Sequence, residues 1–212
     1  MSDARDKLRS LLATRGVMAG SEWVRRVEDA ARRCAAGEFE IDKVVPGHTV
    51  GDGDRGFYLV QSEFSFDTPQ GCIPLGAVRE SIPEHIAFCA CDADLDGFDP
   101  ATAVFLDTET TGLAGGTGTI PFLVGAGYFT QDGFRLDQCF LRDYPDEEPM
   151  LEYLQELFRG RETVVSYNGK SFDLPLLRTR FIQNRMRFPL ERAGQFDLLH
   201  AARRFWKLRL QD

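Results

Sequence analysis

What this chain lacks narrows it before anything it contains. Its five cysteines, Cys34, Cys72, Cys89, Cys91 and Cys139, are odd in number and never stand as Cys-x-x-Cys. That argues against a disulfide framework and against a cysteine-held zinc. Histidine is scarcer, at three residues, and His48 and His85 have no acidic or cysteine company at ligand spacing. No apolar run approaches the roughly 20 residues that cross a bilayer, so no membrane partner is expected. The mixed-charge start, Met-Ser-Asp-Ala-Arg-Asp-Lys, leads into no apolar core and does not read as a signal peptide. The cytoplasm is therefore the expected compartment. Internal repeats and low-complexity tracts are absent. So is a P-loop: Gly169-Lys170-Ser171 would need a glycine where Val164 stands.

What is present is ordinary in bulk and uneven in detail. The 212 residues, 43% hydrophobic and 27% charged, suffice for one sizeable core or for a domain plus a smaller module. The net charge of −8 disfavours a polyanionic partner on average. From Lys170 to Asp212, however, ten Lys/Arg face four Asp/Glu, a local +6 that leaves −14 on the first 169 residues. Arg178, Arg180, Arg185, Arg187, Arg203, Arg204 and Arg209 are thus candidates for contacts to a phosphate backbone. The plain alternative is a set of solvated helix faces.

Patterning divides the chain near residue 100. Residues 3–36 read as helical: Leu8, Leu11 and Leu12 share a face, and after a glycine-containing break Ser21 caps a segment with Trp23, Val24 and Val27 inward. Residues 38–99 hold short apolar runs, such as Phe57-Tyr-Leu-Val60, between Gly, Pro and Asp. They read either as an irregular β-rich piece or as a long connection. Beyond residue 100, strands are expected over 102–109, 120–129 and 134–142, with Asp132-Gly133 as a hairpin signal between the last two. A helix over 147–160 ends at Gly160, and a strand covers Thr163–Tyr167. A helix over about 171–185 follows, then an extended piece at Gln195–Phe196, and a last helix over 198–207 in which Phe205 and Trp206 read as core.

The chemistry sits at two of these junctions. Asp107 and Glu109 end the run Ala103-Val104-Phe105-Leu106 and, two residues apart in a strand, face the same side. Carboxylates that close repel unless a divalent metal or a shared proton lies between them. A glycine-rich loop, Gly112 to Gly118, follows and leaves access open. The second junction is Ser166-Tyr-Asn168-Gly-Lys170-Ser-Phe172-Asp173-Leu-Pro-Leu-Leu177, where a strand meets its helix, the place where sites gather in open α/β sheets. Asp173 could there add a third carboxylate to the first two.

Phe-Leu-Asp107-Thr-Glu109-Thr-Thr-Gly-Leu113 resembles the first motif of the DEDD, or DnaQ-like, 3′–5′ exonuclease superfamily, and Asn168-Gly-Lys-Ser-Phe-Asp173-Leu-Pro-Leu-Leu its second. Together with Gly112–Thr119 and Phe196-Asp197-Leu-Leu-His200-Ala-Ala-Arg203-Arg-Phe-Trp206, the pattern looks most like the YprB-type RNase H-like family. The resemblance implies catalytic and metal-ligand roles for Asp107, Glu109 and Asp173, and Mg²⁺ or Mn²⁺ as a pair of ions about 3.5–4 Å apart. It implies substrate contacts from Thr110, Thr111, Gly112, Leu113, Asn168, Lys170 and Phe172. Asp197 is read either as a possible secondary site residue or as a support of the fold through backbone hydrogen bonds. The superfamily's fourth carboxylate, from a third motif, has no counterpart in these residues. The polypeptide taken alone is therefore expected to be a weak or inactive nuclease.

The expectation is an α/β protein: an N-terminal helical and β appendage over 1–99, then an RNase H-like domain over 100–212 that is C-terminally incomplete. The domain's mixed sheet has three antiparallel strands followed by two parallel ones, flanked by helices. Its expected function is two-metal 3′–5′ exonucleolysis of DNA or RNA, with a single-stranded 3′ end favoured. A nucleic-acid-binding or interaction protein that keeps the fold without turnover is the alternative. A phosphoesterase acting on small nucleotides is a third reading.

Overall fold

A computed structural model describes residues 41–52, 55–110 and 118–206. The backbone divides into two compact units, Met1–Pro46 and Gly47–Asp212. Of the first, the described residues include one helical turn, Ile41–Val44; the helices expected over 3–36 lie outside the described residues.

The second unit is built on a sheet of seven strands: β1 (His48–Val50), β2 (Phe57–Phe64), β5 (Ala103–Thr110), β6 (Pro121–Phe129), β7 (Phe134–Phe140), β8 (Thr163–Ser166) and β9 (Gly194–Asp197). A separate two-stranded ladder joins β3 (Pro69–Gln70) to β4 (Ile73–Pro74). The main sheet runs in the order β1-β2-β7-β6-β5-β8-β9. Its pairs are antiparallel from β1 to β5 and parallel from β5 through β8 to β9. The expected core of three antiparallel and two parallel strands is present, as is the β6–β7 hairpin, closed where the Thr130 amide donates to the Gly133 carbonyl at 2.8 Å.

The sheet reaches across the boundary expected at residue 100. β2, assigned to the appendage, pairs with β7 along its length, Tyr58 opposite Phe140 and Phe64 opposite Phe134. Phe57 and Leu59 are buried in the same core as β5 and β6. The segment is a structural part of the sheet.

Helices cover both faces. On one, α2 (Glu147–Leu157) and α3 (Asp173–Gln183) bury Met150, Leu151, Leu154, Leu174, Leu177 and Phe181 against Val104, Leu106, Val124 and Ala126. On the other, α1 (Pro83–Ala90) and α4 (Leu198–Trp206) bury Ala87 and Ala201 with Ala103, Val165 and Phe196. With apolar cover on both faces, β8 is buried at every residue, which is why its sequence Thr-Val-Val-Ser does not alternate. Gly160, three residues past α2, has φ of +75°, a left-handed conformation that glycine takes without Cβ strain.

Two polar devices fix α2. The buried Asp146 just before it accepts the Gly56 amide at 2.8 Å, tying its start to the entry of β2. Tyr153 in its middle donates at 2.6 Å to the buried Asp137 of β7, which also accepts from Tyr128 and Gln61, both at 3.1 Å. Burial, with the charge of Asp137 behind it, pushes the Tyr128 phenol up to about 12.

Candidate active site

The candidate site forms where β5, β8 and β9 end side by side. Parallel pairing sets Phe105 opposite Val165 and Ser166 opposite Asp197, so their C-terminal edges share one rim. Asp107 and Glu109, the next outward-facing residues of β5, are both exposed there. They line the same open groove of about 520 Å³, whose floor is Phe105, Gly125, Gly127 and Leu136 and whose edge includes Ser166 and Leu198. Gly125 stands opposite Asp107 in the β5–β6 register and keeps the approach to the carboxylate free of side chain. A β-bulge between Glu109 and Thr110 then breaks the ladder, and Thr110 pairs with Pro121.

Asp173 arrives from the other side of the strand. Alternation turns Thr108 toward the face covered by α3, and the Thr108 hydroxyl donates to Asp173 Oδ1. Asp173 is buried in the first turn of α3. Burial pushes its carboxyl above the ordinary carboxylate range; the Thr108 hydrogen bond opposes that shift, and the negative charge of Asp107 adds to it. Of the three acids expected to converge, Asp107 and Glu109 share one strand face, while Asp173 lies close enough to feel Asp107 and accepts from Thr108. Among the described residues no group of three His, Cys, Asp or Glu side chains could hold a metal ion.

The donor set nonetheless suits a hard divalent cation. Two exposed carboxylates on one strand face supply oxygen ligands, and the ionisation of a third acid nearby is opposed in part by the charge of Asp107, a repulsion that a bound cation relieves. Asp107 and Glu109 would hold such an ion, with Asp173 as the neighbouring acid.

Thr108 was not singled out from sequence. Strand alternation alone says that it faces away from its two acidic neighbours. Thr108→Val should test its role. Asp173 protonates more tightly in the folded protein than in the unfolded chain, so stability falls as pH rises from the ordinary carboxylate range through the raised value. Removing the hydroxyl widens that window. The variant should lose about 1.5–3 kcal/mol at neutral pH and less in acid, as read by denaturant titration.

The remaining expected site residues are distributed as follows. Thr111, Gly112 and Leu113 lie outside the described residues. Asn168 and Lys170 are exposed on the turn between β8 and α3, and Asn168 adopts φ of +68°. Phe172 is half-buried at the start of α3. Asp197 takes the second of its two expected roles, support of the fold through backbone hydrogen bonds. It is buried, and its oxygens take the amides of Asn168 at 2.8 Å, Lys170 at 3.1 Å and Leu199 at 3.0 Å. His200 Nε2 stands 3.9 Å from Asp197 Oδ2.

Two further expectations are overturned. Arg180 is buried in a two-pronged pair with Glu147 and cannot reach a phosphate backbone. Phe205 and Trp206 are about half exposed, 49% and 53%, because α4 turns its Ala201 inward and leaves its last turn at the surface. Of the other arginines, Arg178 pairs with Glu191 at 2.8 Å and Arg204 donates to the carbonyls of Phe88 and Cys89. Arg185, Arg187 and Arg203 are exposed, and Arg209 lies outside the described residues.

A mixed sheet opened by antiparallel strands, closed by parallel ones, helix-covered on both faces and carrying acids on the strand where the pairing changes from antiparallel to parallel defines an RNase H-like α/β domain. The family model described as RNase_H superfamily matches residues 104–212, half of the chain, and the chain belongs to that family. Over 113 residues it is 41% identical to "Uncharacterized protein YprB" of Bacillus subtilis (strain 168), a stretch covering 52% of this chain and 27% of that protein. The matched part thus spans about a quarter of that relative's length. Membership in the superfamily points to nucleic-acid-related chemistry, for which its nucleases generally use divalent metal ions.

Proposed function

We propose that this chain is a metal-dependent nuclease that hydrolyses nucleic-acid phosphodiesters, acting 3′ to 5′ on a single-stranded end. The observation that carries the reading is the joint exposure of Asp107 and Glu109 on one face of β5, at the rim shared with β8 and β9 and beside an open groove. Hard oxygen donors select Mg²⁺ or Mn²⁺. A pair of such ions, when bound, would activate a water and stabilise the leaving 3′-oxygen. The chain's own residues provide the rest: Asp107 and Glu109 as anionic ligands, Asp173 as an adjacent acid poised by burial, and the exposed Asn168 and Lys170 beside the rim as polar contacts for the substrate. Arg185, Arg187 and Arg203 are the exposed cations available to a phosphate backbone.

The second reading is an RNase H-like protein that binds nucleic acid without turnover. It is favoured by one observation: Asp173 is engaged by Thr108, and no other described acid completes the pair. For the same reason turnover by this polypeptide alone is expected to be slow.

The experiment compares labelled single-stranded DNA, single-stranded RNA and a dinucleotide, each with Mn²⁺, for wild type and Asp107→Ala. Cleavage of the strands that disappears with Asp107 supports the nuclease. Binding without cleavage in both proteins supports the second reading, and cleavage of the dinucleotide alone supports a small-nucleotide phosphoesterase. Binding should weaken with salt, log K falling about 0.7 per phosphate contact per log unit for single strands. A flat salt response would remove the arginines from the interface.

A further inference from the structure

The segment Tyr167–Phe172 bridges β8 and α3, and its placement decides where Asp173 can sit. It is built from a left-handed Asn168 and from a Gly169 carbonyl that accepts the amides of Phe172 at 3.3 Å and Leu174 at 2.9 Å. It lies close over its surroundings: a Cβ at Gly169 would stand 2.4 Å from Ser166 Oγ and 3.1 Å from Asp173 Oδ2. The segment is also held from β9. Asp197 Oδ1 takes the Asn168 amide and Oδ2 the Lys170 amide, while Oδ1 also takes the amide of Leu199 at the start of α4.

We propose that Asp197 is a positioning residue, one that anchors the 168–172 turn from β9 and thereby sets the place of Asp173 against β5. Three backbone amides converging on one buried carboxylate leave it little capacity for a metal or a substrate. A charged acceptor inside the fold holds such donors more firmly than a neutral one. The anchor also couples elements: its amides come from both the turn before α3 and the start of α4, so the last parallel strand registers both helices at the rim. Its bearing on catalysis rests on the nuclease reading given above; its bearing on the turn does not.

The test uses the full chain with Asp197→Asn and Asp197→Ala. Asparagine keeps one acceptor oxygen and turns an amide group toward one of the donors; alanine removes all three bonds. Hydrogen exchange of the Asn168 or Lys170 amide should accelerate about tenfold or more in the asparagine variant, with β5 and β6 amides unchanged, and all three anchored amides should accelerate in the alanine variant. Mn²⁺ alone, titrated by calorimetry, should bind about 10-fold or more weakly in the variants. Gly169→Ala, which crowds the turn with Asp197 intact, should weaken Mn²⁺ in the same direction. Leu59→Ala, a core truncation in β2 with three strands between it and β8, should lower Tm and leave Mn²⁺ affinity unchanged. Unchanged exchange at residues 168 and 170 in folded Asp197→Asn overturns the proposal, as does a Mn²⁺ affinity that follows Tm across all variants. Loss of turn protection in a protein whose wild type takes up no Mn²⁺ sustains the anchor and defeats the metal reading instead.

Discussion

Asp107→Asn should lower metal-dependent cleavage by at least about 10²–10³-fold while leaving the protein folded. The two halves of this expectation have separate causes. Asp107 is exposed on β5, and exposed substitutions usually shift stability by no more than about 0.5 kcal/mol. The amide is nearly isosteric, so the β5–β6 register and the groove beside it are kept. What disappears is the charge, and with it an anionic oxygen ligand. The loss also reaches Asp173. Part of what holds that carboxyl above its ordinary range is the negative charge of Asp107, so in the variant it should titrate lower, closer to a normal carboxylate. The fall in stability with rising pH that Asp173 contributes should shrink accordingly. Carbon-detected NMR titration of the Asp173 side chain measures the shift directly, and calorimetry with Mn²⁺ measures the ligand loss even where turnover is slow. Unaltered cleavage would end the nuclease reading. Unaltered titration of Asp173 would show that the two acids are uncoupled and that the third carboxylate belongs to the fold rather than to the site.

How much of this was written in the sequence depends on the range of the interaction. The strands from residue 103 onward were legible because each carries its own signal. β5 is an apolar run ending in two acids, β6 and β7 are joined through Asp132-Gly133, and α2 has an apolar stripe ended by Gly160. The pairing of Asp107 with Glu109 follows from the period of a strand and needed nothing else. β2 was not legible as part of the sheet, although its apolar run was visible. Its partner is β7, with Tyr58 opposite Phe140, and no local pattern announces a pairing across so much chain. Arg180 was misread for the same reason: the charge that claims it is Glu147, 33 residues earlier. The orientation of Asp173 needed a fact about docking, namely that α3 lies on the Thr108 side of β5. Asp197 left a faint trace only. An aspartate between a strand and a helix is a capping signal, which its bond to the Leu199 amide satisfies, but nothing local predicts that it also reaches the turn before α3.

Removing one partner of the Arg180–Glu147 pair should cost about 3–5 kcal/mol, the largest stability loss expected of any polar substitution in this fold. The guanidinium meets the carboxylate with both prongs, Nε to Oε1 at 2.5 Å and Nη2 to Oε2 at 2.6 Å, and both side chains are about nine-tenths buried. Asn184 Nδ2 adds a bond to Oε2 at 3.1 Å, and Gln183 Oε1 accepts from Arg180 Nη1 at 2.6 Å, so the ions are solvated by protein. Glu147→Ala leaves an arginine in the interior with its counter-charge gone; Arg180→Met leaves a carboxylate in the same state. In a protein of this size each 1 kcal/mol is worth about 2–4 °C in Tm, so thermal denaturation should register a drop of about 6–20 °C for either single change. The double variant Glu147→Leu/Arg180→Met should recover most of it, because an apolar pair of similar volume avoids the desolvation of both ions. The pair has a second consequence, since it ties the first turn of α2 to the last turn of α3, and α3 opens on Asp173. Single variants, assayed well below their lowered Tm, should therefore bind Mn²⁺ more weakly than wild type, and the double variant should bind it normally if packing alone seats the helix. A double variant that regains its Tm but not its Mn²⁺ affinity would show that the charges, and not the volume they fill, set the position of α3 along the sheet.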